Sequence, residues 1–200
     1  MNDQQQIKHQ LRMQRKKSHI DAQIAKSNQD KGLIVLLTGN GKGKSSSAFG
    51  MVARAIGHGM RVGVAQFIKN RRDTGEEAFF NQHPNVEWHV LGDGFTWDTQ
   101  NLAQDIQTAE QGWLVAERFL ADARYQVVVL DEMTYLLNYH WLEEQRVLDA
   151  LRNRPAMQHV IITGRAASPA LIALADTVSE LVDVKHAYRA GIQAQKGIDL

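Results

Sequence analysis

Short, almost wholly apolar runs alternate with longer amphipathic stretches along most of this chain. Leu33–Leu37, Gln126–Leu130 and His159–Thr163 lack the in–out alternation of a half-solvated strand, as strands buried on both faces do. Arg61–Phe67 alternates and is β-branched, Val86–Leu91 follows suit, and Thr177–Val184 supplies the last strand. Between them the apolar spacing becomes helical. Ala48, Val52, Ala55 and Ile56 share one face of a helix that Gly57-His58-Gly59 ends. Glu76–Phe80 predicts a short helix and Leu102–Leu120 a long one with Trp113, Leu114, Ala116, Phe119 and Leu120 at its apolar positions. Met133–Tyr139, Trp141–Leu151 and a helix opened by Ser168-Pro169 complete the pattern. Strand and helix in alternation predict an α/β fold: a mostly parallel sheet of five or six strands with helices on both faces.

Residues 1–31 break this pattern. They carry Lys8, Arg12, Arg15, Lys16, Lys17, Lys26 and Lys31, many glutamines, and neither proline nor glycine. Ile7 with Leu11, and Ile20 with Ile24, fall four apart on a narrow stripe. Two readings stand: a basic tail without fixed structure, or a helix that orders over an active site, on its own subunit or a partner's. Residues 32–200 form one domain, without internal repeats.

Composition narrows the function classes. A formal charge of +1 over 200 residues gives no global pull toward nucleic acid or an anionic membrane. The absence of cysteine removes disulfides, thiol nucleophiles and cysteine metal sites. The longest apolar runs, Leu33–Leu37 and Val127–Leu130, are far too short to span a bilayer, and the polar N-terminus has no apolar signal core. A cytoplasmic protein is expected.

The most informative stretch is Gly39-Asn40-Gly41-Lys42-Gly43-Lys44-Ser45-Ser46, set between the first strand and the first helix of the domain. Strand, glycine-rich turn and helix is the context of a phosphate-binding loop, in which backbone N–H groups and a helix N-terminus face phosphate oxygens. Lys44 is expected to reach the terminal phosphates, and the Ser45 hydroxyl a magnesium ion that bridges them. The loop is one residue tighter than the usual spacing, because Thr38 stands where the first glycine belongs. Its acidic partner is Asp131-Glu132 at the end of an apolar strand, the position from which a P-loop carboxylate holds the metal. The competing role for Asp131 is the N-cap of the helix that follows. Arg71 and Arg72 lie on a basic loop at a strand's carboxyl end, where ligands gather, or else on a solvated surface turn. Gly92–Asp98 places Phe95 and Trp97 on a loop, either packed on the protein's own core or stacked on a flat ligand.

Together, Thr38–Ser45, Val127–Glu132, Gly94-Phe95-Thr96-Trp97 and Lys185-His186 with Ala194–Asp199 resemble the bacterial P-loop ATP:corrinoid adenosyltransferases, from about Gly32 to Leu200. Relatives commonly carry Thr at the Ser45 position, which preserves the hydroxyl. The resemblance implies a recombinase-like P-loop NTPase domain. It implies transfer of the 5′-deoxyadenosyl group of ATP to Co(I) of a corrinoid (cobalamin, cobinamide or cobyrinic acid diamide), releasing triphosphate, in coenzyme B12 biosynthesis and salvage. ATP is then expected at Gly39, Asn40, Gly41, Lys42, Gly43, Lys44, Ser45, Ser46 and Arg54. Mg2+ or Mn2+ is expected at Ser45, Glu132 and Asp131, with Lys44 and Glu132 catalytic. Phe95 and Trp97 match the aromatic pair that displaces the corrinoid's lower axial ligand. A homodimer and a reduced flavodoxin-like electron donor are implied as well, with no nucleic-acid or membrane partner. Two other readings predict different products. A P-loop kinase or NTPase would yield ADP, and an ATP-dependent nucleic-acid binder would show steeply salt-sensitive binding. Roles for Arg165, His186 and Arg189 stay open.

Overall fold

A computed structural model describes residues 3–68, 74–92 and 101–199. The chain forms two compact units, residues 1–31 and 32–200. In the first, Asp3–Ile24 is a single helix, α1, on which Ile7, Leu11, Ile20 and Ile24 are all exposed.

The second unit contains β1 (Ile34–Thr38), α2 (Lys44–Gly57), β2 (Val62–Gln66), α3 (Gly75–Phe80), β3 (Val86–Val90), α4 (Leu102–Ala121), β4 (Val127–Asp131), α5 (Thr134–Asn138), α6 (Glu144–Asn153), β5 (His159–Thr163), α7 (Pro169–Leu174) and β6 (Thr177–Glu180). The six strands pair in the order β3-β2-β4-β5-β1-β6, and every pairing is parallel. The expected α/β sheet is therefore present.

Side-chain alternation within the buried strands splits the core into two layers. Ile34 and Leu36 of β1, Val128 and Leu130 of β4, and Ile162 of β5 pack with Trp113, Phe119 and Leu148 on one face. Leu37, Val127, Val129 and Ile161 point the other way and pack with Ala48, Phe49 and Val52 of α2. The sheet is thus clad on both sides, as fully apolar strands require.

Two boundaries differ from expectation by three or more residues, and one expected cap is not made, each for a local reason. The last strand stops at Glu180 rather than Val184: the Leu181 N–H makes the final ladder bond, to Thr38 O, and the Leu181 carbonyl then accepts from Gly41 N in the glycine turn. α6 begins at Glu144 rather than Trp141, since Trp141 and Leu142 are buried in the turn after α5 and their amides bond back to Leu136. Asp131 does not cap α5: that helix has no side-chain cap, and Asp131 bonds across the sheet.

Register also fixes the site. Leu37 of β1 lies opposite Thr163 of β5, and Leu130 of β4 opposite Ile162, so the carboxyl ends of β1, β5 and β4 finish side by side. Ligands in open parallel sheets bind at that edge.

One charged cluster braces the sheet's far side. Glu87 on β3 accepts from Arg118 Nη2 at 2.5 Å, from the Tyr125 hydroxyl, and contacts His89 Nε2 at 3.0 Å. Burial opposes its charged form, but those hydrogen bonds and the Arg118 charge outweigh it and hold the carboxyl down at about 2. Because the folded carboxyl titrates below the unfolded one, it contributes stability above the ordinary carboxylate range that is lost as pH falls toward 2. Glu87→Gln should therefore lower Tm at pH 7, and the gap from wild type should close steadily between about pH 4.5 and pH 2. A gap independent of pH would remove the electrostatic role.

Candidate functional site

The glycine loop turns sharply between β1 and α2. Gly39 and Gly43 have φ of +95° and +107°, values that side-chain-bearing residues rarely adopt. The loop is also wrapped. Leu181 N donates to Thr38 O at 2.8 Å, and Gly41 N donates to Leu181 O at 2.6 Å. A Cβ on Gly39 would meet Leu181 O at 2.5 Å, and one on Gly41 would meet Val182 O at 2.7 Å. The glycines here serve two purposes: they open the turn, and they admit the chain that leaves β6.

Lys44 is the first residue of α2 and is buried, only 7% exposed. Its Nζ curls back to donate to Gly41 O at 2.7 Å. Burial lowers its pKa; the charges of Glu132 and Asp131 counter this, while those of Arg165 and Lys42 add to it. Those four residues are thus its electrostatic neighbours. Ser45 is half-buried beside it, whereas Asn40, Lys42 and Ser46 are exposed. Arg54 stands apart from this group, exposed in the last turn of α2, about 15 Å along the helix from Lys44.

Asp131 is completely buried, and its carboxylate accepts hydrogen bonds from Gln66 Nε2 at 2.9 Å and Thr163 Oγ1 at 2.7 Å. The same Thr163 hydroxyl accepts from Glu132 N at 2.9 Å. Glu132 sits at φ +59°, an unusual value for a side-chain-bearing residue, and is half-buried. One hydroxyl therefore fixes both acidic residues; Asp131 is fully buried, and Glu132 is partly exposed with its Oε2 buried.

The donor set suits a divalent cation of the magnesium type. Among the described residues no cluster of three His, Asp or Glu side chains could hold a metal alone. A hydroxyl at Ser45 and a carboxylate at Glu132, with substrate phosphates completing the shell, is the sparse oxygen set such ions accept. Phe95, Trp97, Arg71 and Arg72 lie outside the described residues.

The C-terminal segment returns to the loop. Asp199 accepts a hydrogen bond from Lys42 Nζ and another from Gln195 N at 3.0 Å; the first holds its carboxyl below the usual range, and the second adds to this. Arg189 Nη2 pairs with Asp183 at 2.5 Å, and His186 Nδ1 accepts from Tyr188 N at 3.1 Å, so both residues brace the segment itself. Sequence reasoning missed Thr163 and the Leu181–Val182 wrap. A threonine ending the strand beside Asp131 was a readable sign; a backbone wrap has no side-chain signature.

A glycine loop and an Asp-Glu strand end, juxtaposed on a parallel sheet, define a P-loop nucleotide-using protein. A sequence model of the family described as ATP:corrinoid adenosyltransferase BtuR/CobO/CobP matches residues 30–200. Corrinoid adenosyltransferases of Pseudomonas aeruginosa and Escherichia coli K12 are 55% and 48% identical to this chain, over 96% of it and 95% and 97% of theirs. The corrinoid adenosyltransferase CobA of Salmonella typhimurium is 47% identical over 96% of this chain and 97% of its own. The chain belongs to the ATP:corrinoid adenosyltransferase family. Among the described residues, no helix is long and apolar enough to cross a membrane.

The wrap gives a paired test. Gly39→Ala should lower Tm and weaken ATP binding by on the order of tenfold. Gly59→Ala, at a φ of +72° but in open space, should cost about 1 kcal/mol of stability and leave ATP affinity unchanged. Equal ATP affinity in the two variants would show that contact with Leu181 is irrelevant to binding.

Proposed function

We propose that this protein transfers the 5′-deoxyadenosyl group of ATP to Co(I) of a corrinoid and releases inorganic triphosphate. Family membership together with the clustering of Lys44, Ser45 and Glu132 around the glycine loop supports this reading. In the transfer, Co(I) donates an electron pair to C5′ of ATP, a cobalt–carbon bond forms, and the C5′–O5′ bond breaks with its electrons left on triphosphate. The cobalt is the nucleophile, so the protein supplies no covalent side chain.

What the chain contributes is charge placement. Lys44 and Lys42 oppose the negative charge that grows on the leaving group, and the amino end of α2 adds its dipole. Ser45 and Glu132 would hold Mg2+ or Mn2+, which supplies further positive charge to the phosphates when bound. Asp131 acts one step back, through Thr163, by keeping Glu132 in its left-handed conformation. Phe95 and Trp97 are assigned to the corrinoid's lower face by motif; apolar rings there remove an axial donor without replacing it. Asn40, Ser46 and Arg54 are assigned to ATP on the same basis. A reduced flavodoxin-like donor, a homodimeric state and a cytoplasmic setting belong to the same reading.

The direct test is an anaerobic assay with ATP, magnesium and chemically reduced cob(I)alamin. Light-sensitive adenosylcobalamin formed one-for-one with triphosphate is expected; ADP with no cobalt–carbon product would return the protein to the kinases and NTPases. Lys44→Ala should cut turnover by on the order of 10²–10³ or more with an unchanged circular dichroism spectrum. Retained activity would sink the phosphate-loop assignment. Trp97→Ala should impair adenosylation from Co(II) corrinoid more than from pre-reduced Co(I), and equal losses would separate the aromatic pair from the reduction step.

A further inference from the structure

The turn that leaves β5 is held more firmly than a connection to a short helix needs. β5 lies between β1 and β4, so its exit falls between the glycine loop and Asp131-Glu132. Gly164 N donates to Leu37 O at 3.2 Å, and a Cβ there would meet Thr134 Oγ1 at 1.9 Å, so only glycine fits. The Arg165 carbonyl accepts from Thr134 Oγ1 at 2.7 Å and from Asn138 Nδ2 at 3.0 Å. Ala166 is forced to φ +47°, and Ala167 N reaches Thr38 Oγ1 at 3.4 Å.

All these tethers grip main-chain atoms of residues 164–167 or exclude a side chain at 164. The guanidinium of Arg165 is left exposed, and among the described residues no carboxylate lies within ion-pair distance of it. Its main chain follows Thr163, whose hydroxyl bonds Asp131 and the Glu132 amide, and the turn reaches the end of β1 through Gly164 N and Ala167 N, so Arg165 leaves the sheet between the glycine loop and the acidic pair. A strained, multiply anchored turn that holds a second cation near a buried ammonium is unfavourable by itself. It becomes favourable once a polyanion lies between the two charges.

We propose that Arg165 binds the triphosphate of ATP and stabilises it as a leaving group, from the side of the loop opposite the β6 wrap. The planar guanidinium gives phosphate oxygens paired hydrogen bonds that an ammonium does not. As C5′–O5′ breaks, the electron pair passes to triphosphate, and Arg165 meets the added charge. This rests on the adenosyl-transfer reading above, but its test does not require that reaction.

Inorganic tripolyphosphate with magnesium, titrated calorimetrically into the full chain, is the probe. Arg165→Ala should bind it at least tenfold more weakly while binding adenosine as wild type does, and Arg165→Lys should recover part of the loss. In turnover, Arg165→Ala should lower kcat by on the order of 10²-fold. Wild-type tripolyphosphate affinity in Arg165→Ala would overturn the proposal. So would equal loss of adenosine and tripolyphosphate without recovery in Arg165→Lys, the mark of a merely structural turn. If the wild type made ADP and no adenosylcorrinoid, the transfer reading would fail while the tripolyphosphate comparison still decided the role of Arg165.

Discussion

Burying the Lys44 ammonium costs solvation that only nearby acceptors and carboxylates can return, and the nucleotide end of the domain is organised around returning it. The Gly41 carbonyl supplies a direct hydrogen bond at 2.7 Å, and Glu132 and Asp131 supply charge. Each of these must be held still for the compensation to work. Gly41 is fixed by the wrap of Leu181, and the two acids by Thr163. The phosphate loop is therefore braced from β6 on one side and from β5 and β4 on the other, and the parallel register brings all three to one edge.

This explains why so much could be read in advance and why certain parts could not. The buried strands were legible because a parallel sheet covered on both faces leaves apolar runs with no alternation, as in Val127–Leu130. Gly39–Ser45 and Asp131-Glu132 stand out as candidates because the chemistry proposed for them demands particular residue types at particular spacing. Thr163 passed unnoticed, since a threonine closing a strand serves β-propensity as well as hydrogen bonding, and only the neighbour in the sheet separates the two. The end of β6 was misjudged for a different reason. Leu181–Val184 keeps the composition of a strand, but the Leu181 backbone bonds to the glycine loop, and backbone bonding leaves no trace in residue type.

Asp131 illustrates how position in the fold reassigns a residue. An aspartate before a helix is a good cap by local rules. Here the sheet offers it Gln66 and Thr163, both within hydrogen-bond reach, and the cross-strand partners prevail. The outcome separates two adjacent acids into distinct tasks. Asp131 is spent on internal order, and Glu132, half-buried at φ +59°, is the acid proposed for the metal.

The same wrap bears on why this loop suits adenosyl rather than phosphoryl transfer. In a phosphate loop the amides point directionally at individual oxygens, which favours reaction at a fixed phosphorus. Here the Gly41 amide is committed to Leu181 O, so one directional donor is withdrawn from the cradle. What remains is weighted toward cationic charge: Lys44 buried at the loop, and Arg165 exposed on the adjoining turn after β5. An ammonium such as that of Lys44 stabilises a polyanion as a point charge, with less demand on orientation than a single amide. Triphosphate departing from C5′ needs charge neutralised over its whole length as a new oxyanion forms at one end. A loop that trades an amide for surrounding cations is matched to a leaving group, and less to a phosphoryl group that must be presented to an acceptor.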